Sequence, residues 1–222
     1  GSGLGGLSCA ALLARYGYSV VVCESHSIPG GCAHSFERAG YTFDSGPSLW
    51  SGCASASPNP LRSVLDAIGE SPEWKQYDGW CMYTPEGDFY AKSGDVEAWK
   101  ETISQFGGAK GSEDWERLTE FIEPLGRAVT ALPPLALRAD LGVVGTAAPW
   151  LGRMADPRIG LRAGLLSGPW SAVLRAARVE NKFLSRWFDF LAFAFSGLPS
   201  DGTVAAAMVY MLSDFYSPGA KM

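Results

Sequence analysis

Three glycines open the chain at the spacing Gly1-x-Gly3-x-x-Gly6, which suits the pyrophosphate of a dinucleotide. Glycine lets the backbone approach phosphate oxygens closely, and the amides at a helix start present the positive end of the helix dipole to an anion. By itself the pattern is common. Here it leads into a small, apolar stretch from Leu4 to Tyr16, with Leu4, Leu7, Ala11 and Ala14 at helical spacing. After Gly17 comes a β-branched run, Ser19 to Cys23, expected as a parallel strand buried on both faces. Glu24 closes that run 18 residues beyond Gly6, where a carboxylate can accept hydrogen bonds from an adenosine ribose. A chance glycine-rich helix start beside an unrelated acid explains this combination of spacings poorly.

A second glycine pair follows in Pro29-Gly30-Gly31-Cys32 and offers a second backbone approach to the cofactor. The glycine fingerprint serves NAD and FAD alike, so the choice rests on what comes next. Gly30-Gly31-Cys32-Ala33-His34-Ser35-Phe36, taken with Tyr41-Thr42-Phe43-Asp44-Ser45-Gly46-Pro47-Ser48, resembles the carotenoid isomerase, phytoene desaturase and retinol saturase family of FAD-dependent oxidoreductases. The Gly-Gly-Cys-x-His form is similar to the saturase and isomerase-like branch, whereas desaturases and amine oxidases usually carry Arg at the position of Cys32. Pro199-Ser200-Asp201-Gly202-Thr203 through Asp214-Phe215-Tyr216 also resembles the middle region of such proteins. The resemblance is strong over residues 1 to 48 and diffuse afterwards.

The resemblance implies FAD as cofactor, held by Gly1, Gly3, Gly6, Glu24, Gly30 and Gly31, with Cys32, His34, Ser35, Asp44 and Gly46 near the flavin. No residue is singled out as catalytic, because the flavin carries the chemistry. His34 has two readings, proton exchange near the flavin or a hydrogen bond that holds its own loop. Cys32 is expected to pack rather than react, and His26 to be a surface loop residue. Asp44-Ser45-Gly46 reads equally as a plain turn in which Asp ties its own backbone. The implied activity is isomerisation, desaturation or saturation of a carotenoid or related isoprenoid polyene, with a cis-trans isomerase of the prolycopene type first. Two alternatives share the fold: a non-redox chaperone of prenylated proteins like the GDP-dissociation inhibitors, and a flavin amine oxidase. Apolar substrates imply a peripheral membrane surface, in a plastid or another membrane-associated compartment.

The elements that must position these residues are legible in outline. Tyr41 to Pro47 reads as a short strand entering a loop, and Leu61 to Ile68 as a helix after Pro60. Tyr77 to Tyr83 and Phe89 to Lys92 flank Pro85-Glu86-Gly87-Asp88 as a hairpin. Helices are expected over Asp95 to Phe106 and Ser112 to Leu132, the latter with Ser112 as N-cap and Glu113, Asp114 and Glu116 in its first turn. From Pro133 the chain is apolar and mostly helical, most clearly over Lys182 to Phe195 and Thr203 to Phe215. Among these, Trp187, Phe188, Phe190, Phe193 and Phe195 suit an apolar tunnel or, more in keeping with helical spacing, a core.

The fold class is therefore α/β: a Rossmann-type FAD-binding portion over residues 1–75, its first strand missing, and an α+β, largely helical substrate domain over residues 76–222. Both are expected to be incomplete. The chain reads as a fragment, with the first strand, any targeting segment and the C-terminal piece of the flavin site outside it. Alone it is expected to bind FAD poorly and to be inactive.

Composition narrows the classes further. With 47% hydrophobic and 18% charged residues the chain is an ordered globular protein, and a net charge of -5 argues against a nucleic-acid binder. Five cysteines without a C-x-x-C pair and two histidines, His26 and His34, point to a reducing compartment and no metal site. Residues 63–124 hold 14 acids against 5 bases, while residues 125–178 hold 7 arginines and only Asp140 and Asp156. That arginine-bearing apolar stretch reads either as a membrane-facing surface or as an ordinary helical domain with a wet side. The sequence leaves the oligomeric state open.

Overall fold

The computed structural model describes residues 1–47, 50, 52–54, 59–131, 141–142, 144–145, 148 and 156–215. Contacts within the chain divide it into two compact units, Gly1–Gln76 and Tyr77–Lys221. Ser48, Leu132, Pro133, Asp140 and Tyr216, all named above, lie outside the described residues.

The first unit opens with α1, Leu4–Arg15. A one-turn 3-10 helix at Gly31–Ala33 leads into β1, Ser35–Arg38, which pairs antiparallel with β2, Tyr41–Asp44. Arg38 faces Tyr41 across a two-residue turn whose residues, Ala39 and Gly40, both have positive φ, as a hairpin turn matched to strand twist requires. Helix α2, Pro60–Ile68, begins one residue before the expected Leu61, because Asn59 accepts from the Leu61 amide at 2.8 Å and Pro60 fits the first helical position.

The run Ser19 to Cys23 departs from expectation. It carries no strand ladder, and Val21 is 85% exposed. A β-branched run becomes a buried parallel strand only between neighbouring strands, and no described strand lies beside this one. The backbone bond recorded along it is from Gly1 N to the Cys23 carbonyl at 2.7 Å. For the same reason the apolar side of α1, with Leu4 and Leu7, stays open.

The second unit holds the larger core. Its hairpin is β3, Gly79–Thr84, and β4, Gly87–Lys92, joined by Pro85 and Glu86 alone, since Thr84 already pairs with Gly87. Next comes α3, Val96–Ala131, broken at Gly108, whose φ of 62° and ψ of -165° no helical residue adopts. The break falls before Ser112, so Ser112 lies inside the second segment and is not its N-cap. Then follow α4, Pro157–Leu166, α5, Trp170–Ala176, α6, Lys182–Ser196, and α7, Ala205–Phe215. Helix α3 packs against α4, α6, α7 and β4. Trp99, Trp115, Trp170, Trp187 and Phe188 fill the centre, and Phe89 from the hairpin lies 5.5 Å from the Trp187 ring. No helix among the described residues is long and apolar enough to cross a membrane.

The aromatic group on α6 divides. Trp187 and Phe188 are core, whereas Phe190 and Phe193 are exposed, since the helix turns those positions outward. Several arginines of the basic stretch are held within the unit: Arg127 and Arg158 both pair with Asp156, and Arg162 stacks 4.2 Å above the Phe121 ring.

Candidate dinucleotide-binding site

The site is built around the start of α1. Gly3 is its N-cap and offers no side-chain hydrogen bond, and the first turn contains no acid. The first amides of a helix need partners from outside the helix. With no capping side chain and no carboxylate there, an anion suits both the open amides and the dipole. Gly6 keeps the loop tight: a Cβ at that position would stand 2.1 Å from the Gly1 carbonyl oxygen.

Glu24 comes to the same place through Ser2. The Ser2 amide and hydroxyl both donate to Glu24 Oε2, at 2.5 and 2.7 Å, and the His26 amide donates to Oε1 at 2.8 Å. The Ser2 hydroxyl, followed by the backbone amides of Ser2 and His26, holds the Glu24 carboxyl at about 2, outweighing the opposing effect of burial. A carboxylate has about four lone-pair sites, so these bonds fix its direction while leaving acceptor capacity for ribose hydroxyls.

The second glycine turn lies against the first. Gly30 N donates to the Ser2 carbonyl at 2.9 Å, and Gly3 and Gly30 form an isolated parallel bridge. Gly31 has φ of 62°, and a Cβ there would stand 2.9 Å from the Gly3 Cα. Two backbone turns thus meet with no side chain between them, which is the geometry a phosphate cradle requires.

Beyond this turn, His34 Nδ1 lies 2.7 Å from the Gly31 carbonyl. A carbonyl only accepts, so Nδ1 carries the hydrogen, and His34 holds its own loop through that nitrogen. Its ring centroid is 5.2 Å from that of His26. Ser35 Oγ donates to Asp44 Oδ1 at 2.8 Å across the strand pair, and Ser45 N donates to the His34 carbonyl at 3.0 Å. A Cβ on Gly46 would approach the Cys32 carbonyl to 2.5 Å. Cys32 itself is exposed, contrary to the expectation that it packs, because the 3-10 turn directs it outward from a small unit.

All eleven sequence-predicted residues therefore fall within the first unit, Gly1–Gln76, linked by hydrogen bonds or close backbone approach. Ser2, which is 3% exposed and touches both Glu24 and Gly30, joins the site without a sequence expectation of its own. Its signal was faint: a small polar residue between the first two glycines, opposite an acid.

Residues 1–68 match the NAD(P)-binding Rossmann-like domain family. The chain is 30% identical over 129 residues to phytoene desaturase of Cercospora nicotianae, a match covering 55% of this chain and 20% of that one. It is 42% identical over 68 residues to all-trans-retinol 13,14-reductase of Danio rerio, covering 31% of this chain and 11% of the relative. It is 43% identical over 70 residues to the chloroplastic prolycopene isomerase of Daucus carota, covering 31% and 11%. The chain is thus similar to members of the carotenoid isomerase, phytoene desaturase and retinol saturase family. It spans a fifth or less of the length of the curated relatives it matches.

The second unit carries an apolar cleft of its own, of about 190 Å³, between the β3–β4 turn and α6. Met82, Pro85, Phe183, Trp187 and Phe190 line it, and Glu86 and Arg186 form an ion pair at its edge.

Proposed function

We propose that the chain is part of an FAD-dependent oxidoreductase that acts on a carotenoid or related isoprenoid polyene, with cis-trans isomerisation ahead of desaturation or saturation. The observation that carries this reading is the meeting of two side-chain-free glycine turns beside an ionised Glu24, in the Gly-Gly-Cys-x-His sequence form. Helix α1 and the turns at Gly3 and Gly30 hold the pyrophosphate, Glu24 accepts from the adenosine ribose, and the segment from Cys32 to Gly46 faces the flavin. Bound FAD supplies the redox chemistry. The apolar cleft beside Trp187 supports an apolar ligand, since such a surface binds a polyene without leaving polar groups unpaired.

The substrate's solubility supports a peripheral membrane location, and exposed Phe190, Phe193 and Leu198 supply an apolar surface for it. The chloroplastic naming of the plant relatives supports a plastid. The test is an assay of the full-length protein on cis and all-trans polyenes, reading product geometry and hydrogen content. The expected product is a geometric isomer of unchanged mass. Hydrogen peroxide from amines without polyene conversion contradicts the reading in favour of an amine oxidase, and capture of a prenylated GTPase without bound flavin contradicts it in favour of a chaperone.

A further inference from the structure

Ser2 joins three segments that are distant in sequence. Its amide and hydroxyl both reach Glu24 Oε2, at 2.5 and 2.7 Å. Its carbonyl receives the Gly30 amide at 2.9 Å, and its hydroxyl lies 3.4 Å from the same amide. The residue is 3% exposed, although Glu24 and Gly31 beside it are open to solvent. A serine so enclosed at the rim of an open site has its rotamer set by its partners, and it sets theirs.

We infer that Ser2 is a positioning residue for the adenosine end of the cofactor: its hydroxyl aims the Glu24 carboxylate and its carbonyl anchors the Gly30 turn, so ribose and phosphate recognition are set as one unit. This rests on the reading above that a dinucleotide occupies the site. A glutamate at an exposed position otherwise samples many rotamers, and ordering it on binding costs affinity. Ser2 does that ordering before the ligand arrives. Its hydroxyl also keeps Oε2 occupied, which directs the acceptor capacity left on the carboxylate toward solvent, where a ribose diol approaches. Alanine at this position keeps the backbone bonds to Glu24 and Gly30 and removes only the contacts of the hydroxyl, the short one to Glu24 and the long one, at 3.4 Å, to the Gly30 amide.

The experiment is a double-mutant cycle on the full-length protein with Ser2→Ala and Glu24→Ala, reading FAD dissociation by recovery of flavin fluorescence. Each protein's thermal midpoint is measured as the control for folding. Ser2→Ala is expected to weaken FAD about tenfold, the loss of one charge-assisted hydrogen bond, and to have no further effect once Glu24 is alanine. An equal tenfold effect of Ser2→Ala in both backgrounds, or none in either, overturns the inference. A second reading needs no cofactor: carboxyl carbon NMR of the apo protein follows Glu24 titration, expected to move up toward the ordinary glutamate range in Ser2→Ala. An unmoved titration overturns the role of Ser2 whether or not FAD binds. Absence of FAD binding by the wild-type protein, with the titration moving as stated, contradicts the dinucleotide reading and leaves the Ser2–Glu24 link standing.

Discussion

The Asp114 carboxylate accepts the backbone N–H of Asn181 at 2.8 Å, so an acid inside α3 caps the approach to α6 from 67 residues away. The Glu180 amide reaches the same oxygen at 2.7 Å, and Lys110 and Arg117 pair with the other. Asn181 completes the joint, donating from its side chain to the Gly107 carbonyl at 2.9 Å and accepting from the Leu184 amide at 3.1 Å. Burial pushes the Asp114 carboxyl up, but the amides of Glu180 and Asn181 together with Lys110 and Arg117 outweigh it and leave it below the usual aspartate value.

That joint sets the first prediction. A carboxyl lowered on folding contributes stability that is fully present above its unfolded value of about 4 and is lost as pH falls below it. Asp114→Ala is expected to lose about 2–4 kcal/mol at neutral pH, because two part-buried amides lose a buried, charged acceptor. Urea titrations are expected to show the gap from wild type narrowing as pH drops below about 4. An unchanged urea midpoint at neutral pH contradicts the capping role.

The aromatic helix α6 provides a contrast between two positions six residues apart. Trp187 is 3% exposed and Phe193 62%. Trp187→Ala is expected to cost about 3–5 kcal/mol by leaving a cavity. Phe193→Ser is expected to stay within about 0.5 kcal/mol of wild type while weakening sedimentation with anionic vesicles. Equal vesicle binding by the Phe193 variant contradicts the membrane-facing role of that surface.

What the sequence disclosed about the fold was mostly local. Pro60 marks the start of α2 because first-turn chemistry acts within a few residues, and the β3–β4 hairpin follows from two strand-like runs around a turn that contains Gly. The run Ser19 to Cys23 failed as a strand because pairing depends on neighbours that its own residues do not specify. Ser112 misled because it has the chemistry of a cap, yet the chain breaks at Gly108, where positive φ is accessible. At the candidate site the glycines and Glu24 announce themselves by spacing. Ser2 does not, since its part depends on a contact 22 residues away.

Gly31 separates steric need from chance. Its φ of 62° and the 2.9 Å approach of a Cβ to the Gly3 Cα leave no room for a side chain. Gly31→Ala is expected to weaken FAD binding more than about tenfold, the effect of a misplacement worth over about 1.4 kcal/mol. The same change at Gly160, in α4 with open space around it, is expected to raise stability by about 0.5–1 kcal/mol and leave flavin content unchanged. Flavin affinity that is indifferent to Gly31→Ala contradicts the cradle.

Glu24 supplies a pH test. Its carboxyl is held at about 2, so it stays ionised wherever the protein is handled. A depressed carboxyl keeps its contribution above the unfolded value and loses it only as pH falls through the folded one. FAD affinity is therefore expected to be flat from about pH 8 down to about pH 5, well above the ordinary glutamate value, and Glu24→Gln to weaken it throughout. A fall in affinity across that range contradicts the geometry around Ser2.

Whether this chain is part of a flavin enzyme is read from the visible absorption spectrum of the full-length protein, purified from a flavin-replete host. Flavin absorption bands are expected, with on the order of one FAD released per chain on denaturation, as a single dinucleotide cradle requires. A folded, monodisperse protein with no flavin absorption, which takes up none from added FAD, would contradict the flavin reading.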